Sequence, residues 1–167
     1  SSCTDASAGY YVSSTAATSQ TACAAGTYQE STGQTSCDDA DAGYYVASAG
    51  SASQTACTAG TYQPSTGQTS CDDADAGYYV ASAGSASQTA CAAGTYQPST
   101  GQSSCTDASA GYYVSSTAAT SQTACAAGTY QESTGQPSCD DADAGYYVAS
   151  AGSAAQTACT AGTYQPY

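Results

Sequence analysis

Residues 23–37 read Cys23-Ala24-Ala25-Gly26-Thr27-Tyr28-Gln29-Glu30-Ser31-Thr32-Gly33-Gln34-Thr35-Ser36-Cys37. A glycine opens a short β-favouring run, a Ser/Thr/Gly cluster suited to a turn follows, and a cysteine closes each end. Around this stretch the cysteines alternate strictly between a long interval, as from Cys3 to Cys23 and Cys37 to Cys57, and a short one, as from Cys23 to Cys37 and Cys57 to Cys71. That rhythm marks five tandem copies of one 34-residue repeat, at 1–34, 35–68, 69–102, 103–136 and 137–167, the last truncated, together one continuous array. A repeat this short cannot bury a core alone and must lean on its neighbours.

Within each repeat lies a 17-residue half-repeat, visible in Ala8-Gly9-Tyr10-Tyr11 against Ala25-Gly26-Thr27-Tyr28 and Ala42-Gly43-Tyr44-Tyr45. Ser1 to Gln34 is identical to Ser103 to Gln136, while the second and fifth repeats differ by changes such as Thr35 to Pro137 and Ser53 to Ala155. Helical arrays of the same period need large apolar side chains at helical spacing, and Leu, Ile, Phe and Met are all absent. The segments Gly9-Tyr10-Tyr11-Val12 and Gly26-Thr27-Tyr28-Gln29 instead predict two short hairpins per repeat, with Tyr10 and Val12 on one side and Tyr11 on the other. The expected fold is small, disulfide-rich β: an elongated tandem-repeat rod or solenoid of short β-hairpins.

The chain has no Lys, Arg or His, so its 13 acidic residues give a formal charge of -13. Nucleic-acid phosphates and anionic membranes are therefore poor partners. Without His or Lys the usual base of a nucleophilic triad or dyad is missing, and uniform repetition is the opposite of one preorganised site, so no catalysis is expected. An even number of regularly spaced cysteines points to disulfides formed in an oxidising, extracellular compartment. No export signal or apolar span stands in the sequence, which suggests a mature product or a piece of a longer precursor.

Alignment of the half-repeats predicts which cysteines pair. Where one half has Cys23 and Cys37, the next has Ala40 and Gln54, and the same joint replacement recurs at Ala6/Gln20, Ala74/Gln88, Ala108/Gln122 and Ala142/Gln156. Residues lost together predict the bridges Cys23–Cys37, Cys57–Cys71, Cys91–Cys105 and Cys125–Cys139, each closing a loop of about 15 residues worth roughly 3 kcal/mol by chain entropy. The rival pairing, Cys3–Cys23 and onward, uses all ten cysteines and is not excluded by geometry at the sequence level.

The motif Cys-x-Ala-Gly-[Thr/Tyr]-Tyr, a Ser/Thr-Gly turn and Ser-Cys, present as Cys23-Ala24-Ala25-Gly26-Thr27-Tyr28 with Ser36-Cys37, resembles the ephrin-receptor-like cysteine-rich repeat and the related tumour-necrosis-factor-receptor modules. At Cys37-Asp38-Asp39-Ala40 only the first cysteine of that family's junctional Cys-x-x-Cys remains, so half of its usual cysteines are missing. The resemblance implies elongated, disulfide-laddered extracellular rods.

Cys3 and Cys159 are left over under the first pairing. Extending the period, the partner of Cys159 falls one short interval further on, where Cys3 of a second copy would stand after a three-residue gap. Two readings follow: head-to-tail linkage of copies into open fibres, or a chain that is one window of a longer array.

Tyrosine is the only aromatic. Tyr11, Tyr28, Tyr45, Tyr62, Tyr79, Tyr96, Tyr113, Tyr130, Tyr147 and Tyr164 recur once in every half-repeat, and with Val they are the expected core and interface; sugar stacking or dityrosine crosslinking are other uses. Asp38, Asp39 and Asp41 could collect calcium weakly through carboxylate oxygens, against the simpler reading of a solvated charged face. Exposed Ser/Thr near Pro64, Pro98 and Pro166 invites O-linked sugar, with Thr15, Thr32, Thr66, Thr100 and Thr134 as the first candidates; no asparagine exists for N-linkage. No cofactor is expected. The leading function is a structural subunit of an extracellular fibre, filament or cell-surface appendage that binds itself head to tail. The alternatives are a receptor-like or adhesin stalk and an ice-binding surface, although no persistent Thr-x-Thr pattern supports the last.

Overall fold

A computed structural model describes residues 3–165; Pro166 lies outside the described residues. Among the described residues nine two-stranded antiparallel hairpins follow one another and no helix occurs. In the first, β1 (Tyr10–Tyr11) pairs with β2 (Thr21–Ala22), Tyr10 opposite Ala22 and Tyr11 opposite Thr21. In the second, β3 (Thr27–Tyr28) pairs with β4 (Asp38–Asp39), Thr27 opposite Asp39 and Tyr28 opposite Asp38. The two kinds alternate as far as the pairing of Tyr146–Tyr147 with Thr157–Ala158. The expected small disulfide-rich β tandem repeat is therefore what the chain forms.

The hairpins fall into two compact units, Ser1–Ala74 with Val80–Gln88, and Asp75–Tyr79 with Thr89–Tyr167. Each is built by the same rules. A tight turn precedes each first strand: Tyr10 donates its N–H to the Ser7 carbonyl at 3.0 Å, and Gly9 adopts φ +83°. A turn with positive φ at its third residue favours glycine, which lacks the Cβ that would clash. The strand then runs two residues, and Cys23 extends the pairing by donating to the Gly9 carbonyl at 2.9 Å.

Successive hairpins are joined by backbone hydrogen bonds rather than by a broad apolar layer. In the first unit Gly9 donates to the Gln29 carbonyl (2.7 Å), Gly26 to Val46 (2.8 Å) and Gly43 to Gln63 (2.8 Å). Contact also reaches the hairpin after next, because the loop-tip N–H of Gly50 bonds the Cys23 carbonyl at 2.8 Å. Gly43 shows why that packing excludes side chains: a Cβ there would strike the backbone carbonyl of Gly84. The second unit repeats the pattern, with Gly111 donating to Gln131 at 2.7 Å and Gly152 to Cys125 at 2.8 Å.

The core is narrow. Cys23, Cys57, Cys91 and Cys125 are fully buried, along with Ala40, Ala74 and Ala108, while Val46, Val80 and Val114 lie just after their strands and are almost as well covered. The valines thus take the interior place expected of them, but the tyrosines do not. Tyr10 to Tyr130 are only half-buried, and Tyr146, Tyr147 and Tyr164 are exposed. Two-residue strands leave a layer that Cys, Ala and Val already fill. The phenol rings stay half-covered instead, with the Tyr44 hydroxyl beside the Gly84 loop tip.

Candidate functional site

The recurring feature with chemistry is the staple between consecutive hairpins. Cys23 ends the first hairpin, fixed by its bond to Gly9, and Cys37 stands just before β4 in the second. The Cys23–Cys37 disulfide spans them with Cα atoms 5.7 Å apart. Cys57–Cys71, Cys91–Cys105 and Cys125–Cys139 are built alike, each with Cα atoms 5.8 Å apart. The rival pairing through Cys3–Cys23 does not occur: Cys3 is a free, exposed thiol and Cys159 a free, half-buried one.

At the intervening junctions glutamine replaces the bridge. The Gln54 carboxamide oxygen accepts the backbone N–H of Asp41 at 2.7 Å, and its nitrogen donates to the Asp41 carboxylate at 2.6 Å. The backbone bond recurs from Ser7 to Gln20 (2.8 Å), Ser109 to Gln122 (2.7 Å) and Asp143 to Gln156 (2.7 Å). Covalent and hydrogen-bonded clasps therefore alternate. The sequence marks these glutamines as places where cysteine is missing; their recurrence in all five repeats is the signal that they have a task of their own.

A second glutamine series went unread in the sequence. Gln29, Gln63, Gln97 and Gln131 are buried where the alternate half-repeat has valine. Each folds back into its own loop: Gln29 donates to the Ser36 carbonyl at 3.1 Å and to the Asp38 carboxylate at 3.2 Å, and it accepts the Ser31 N–H at 3.0 Å. A buried carboxamide costs little when its donors and acceptor are met in this way. No buried side-chain nitrogen or oxygen among the described residues lacks a partner.

The carboxylates are held apart rather than gathered. Asp38 faces Gln29 and Asp41 faces Gln54, while the Asp39 side chain lies beside Gly67. Among the described residues no group of three or more Asp, Glu, Cys or His could hold a metal ion. The same carboxylates act on tyrosine. Partial burial, and then the charges of Asp41, Glu30 and Asp38, raise the Tyr28 hydroxyl above its ordinary pKa; Tyr130 is raised in the same way, with Asp143, Glu132 and Asp140 in those places.

Thr32, Thr66, Thr100 and Thr134 sit exposed in the loops. Gln34, Gln68, Gln102 and Gln136 bond their backbone carbonyls, at 3.3, 3.1, 3.0 and 3.3 Å, so the loops are pinned while the hydroxyls stay in solvent. Thr15 is exposed as well. The strand threonines differ: Thr27, Thr61, Thr95 and Thr129 each spend the hydroxyl on a carbonyl three residues earlier, at 2.9 to 3.0 Å. Each unit also has a shallow groove beside a disulfide, about 320 Å³ at Tyr45, Thr61 and Cys71 in the first and about 330 Å³ at Tyr113, Thr129 and Cys139 in the second.

Residues 77–125 match the family model described as tyrosine-protein kinase ephrin type A/B receptor-like. The matched stretch is less than a third of the chain and contains the Cys91–Cys105 bridge. With the stapled hairpins on either side, it supports a cysteine-rich repeat of that type. No curated protein matches the chain. Disulfide-rich repeats of this kind suggest an extracellular domain, and no helix of the described residues is long and apolar enough to cross a membrane.

Proposed function

We propose that the chain is a structural subunit of an extracellular fibre or cell-surface appendage, assembling head to tail and carrying O-linked sugar on its loop threonines. The observation that carries this reading is the uniformity of the clasp: bridges at Cys23–Cys37, Cys57–Cys71, Cys91–Cys105 and Cys125–Cys139 alternate with glutamine clasps such as Gln54 to Asp41. A catalytic protein concentrates its chemistry in one place; here each repeat brings the same chemistry again. Each bridge limits local opening, so the next hairpin stays folded when one is strained. The acidic exterior provides solubility, and with no Lys or Arg the chain offers no trypsin site.

Two observations favour a second reading as a receptor-like or adhesin stalk: the match to a receptor-like family and the paired grooves at Tyr45 and Tyr113. Electron microscopy of unreduced native material, with mass spectrometry of its threonine peptides, separates the two. Continuous filaments with hexose-bearing Thr32, Thr66, Thr100 and Thr134 are expected. Separate short particles with bare hydroxyls would overturn the fibre reading in favour of the stalk.

A further inference from the structure

The two sulfurs of every bridge meet solvent unequally. Cys23, Cys57, Cys91 and Cys125 are fully buried, whereas their partners Cys37, Cys71, Cys105 and Cys139 are half-buried. The shallow grooves beside the bridges open on the second cysteine: Cys71 lines one with Tyr45, Thr61 and Ser70, and Cys139 the other with Tyr113, Thr129 and Ser138. The lining of both grooves is uncharged. Because thiol–disulfide exchange takes place at the sulfur that a thiolate can reach, each bridge has one face open to attack.

Both ends of a bridge are also held by groups other than the bridge. Cys57 donates its N–H to the Gly43 carbonyl at 2.9 Å, and its own carbonyl accepts the Gly84 N–H at 2.8 Å. Ser70, the residue before Cys71, accepts the Gln63 carboxamide N–H at 3.0 Å. In the second unit Cys125 is held in the same way by Gly111 (2.9 Å) and Gly152 (2.8 Å), and Ser138 by Gln131 (3.0 Å). When the S–S bond opens, its two cysteines therefore stay side by side.

We propose that the half-buried second cysteine of each bridge is a site of reversible thiolation by small thiols, and that the buried first cysteine expels the adduct and closes the bridge again. At Cys57–Cys71 the small thiolate bonds the Cys71 sulfur while the S–S bond breaks, and its electron pair leaves on the Cys57 sulfur. The Cys57 thiolate is cut off from water, an unfavourable place for a charge. It either takes the proton that the small thiol gave up or attacks the Cys71 sulfur of the mixed disulfide, which releases the small thiolate and restores the bridge. No outside oxidant or reductant is consumed in this cycle. Charge beside the site selects the thiol. Cys71 is followed by Asp72, Asp73 and Asp75, whereas Cys105 is followed by Thr106, Asp107 and Ser109. The fuller set of carboxylates repels the thiolate of glutathione, which is a net anion, and tolerates that of cysteamine, whose ammonium balances its sulfur. Glutathione therefore enters at Cys105 before Cys71.

The test uses the full chain with Cys3→Ser and Cys159→Ser, so that only bridged cysteines remain. The folded chain is treated briefly with reduced glutathione or with cysteamine at low salt, trapped with N-ethylmaleimide in denaturant and cut after tyrosine with chymotrypsin. That digestion puts Cys57 on peptide 46–62 and Cys71 on peptide 63–78, and mass spectrometry reads which carries the small thiol. Adducts on the second cysteine of each pair should exceed those on the first by about tenfold or more. The glutathione adduct on Cys105 should exceed that on Cys71 by about threefold, a preference lost with cysteamine or at about 1 M salt. Asp72→Thr with Asp75→Ser, which copies the neighbours of Cys105, should bring Cys71 to the same level. Removing the small thiol before trapping should clear the adducts and return the four original pairs. Equal labelling of the two cysteines, or no adduct short of unfolding, would overturn the site. Adducts that persist, or shuffled pairs, would overturn the closure by the buried cysteine, and equal glutathione entry at Cys71 and Cys105 the selection by charge. The fibre reading stands or falls separately from all of these.

Discussion

The Gln54 carboxamide oxygen accepts the Asp41 backbone N–H at 2.7 Å, at the junction that follows the one closed by Cys23–Cys37. Gln54 occupies the half-repeat position of Cys37, and the residue before Asp41, Ala40, occupies that of Cys23. One backbone geometry thus accepts either clasp. Installing Ala40→Cys together with Gln54→Cys should form a fifth internal disulfide without rearrangement. Its loop of about 15 residues is worth roughly 3 kcal/mol, less about 1 kcal/mol for the lost hydrogen bonds. Denaturant midpoints of the oxidised and reduced double variant measure the difference; two unreacted thiols under oxidised glutathione would show that the junctions are not equivalent.

The pairing was legible because Ala and Gln replace the two cysteines together, as at Ala40 and Gln54. The hairpins were legible because a glycine and a tyrosine two residues later recur every half-repeat, as at Gly26 and Tyr28. The contents of the core were not. Composition left tyrosine as the only large apolar side chain, yet the interior went to small residues and to Gln97, whose nitrogen donates to Ser104 at 2.8 Å and whose oxygen accepts from Ser99 at 3.2 Å. A polar residue satisfied within its own loop is invisible to a hydrophobicity pattern. The dispersal of Asp38, Asp39 and Asp41 was likewise hidden, because it depends on what each carboxylate meets, Gln29, the Gly67 loop and Gln54 in turn.

Glycines at equivalent positions should differ in tolerance. Gly43 and Gly145 have nearly the same backbone, φ +87° and +85°. Gly145→Ala meets open space, so it should lose only the strain of a left-handed backbone, about 1 kcal/mol. Gly43→Ala adds a collision with the Gly84 carbonyl, which must move with its loop, and should lose at least twice as much. Chemical denaturation of the two variants checks the ranking, and equal losses would mean that the hairpins do not pack as closely as described.

Among the described residues Ala118 is one of two non-glycine residues at positive φ, at +54°, and it stands where Gly50, Gly84 and Gly152 occur in other repeats. Its N–H still bonds the Cys91 carbonyl at 2.8 Å. Ala118→Gly should therefore keep the bond and relieve the strain, offset in part by the freer unfolded chain, for a net gain of up to about 1 kcal/mol. A raised denaturation midpoint with an unchanged slope is the expected result.

Alkaline pH should loosen the fold through Tyr28 and Tyr130. Partial burial, followed by Asp41, Glu30 and Asp38 around Tyr28, favours the neutral phenol, so the folded-state pKa lies above the unfolded one. The folded chain then binds the phenolic proton more strongly. That contribution is complete below the unfolded value of about 10 and disappears as the pH rises through the folded-state value. Asp41→Asn removes the largest of the carboxylate effects and leaves the burial in place. In an ultraviolet titration of the phenolate band the variant should lose part of the high-pH tail of the transition. An unchanged tail would show that burial alone holds the Tyr28 proton.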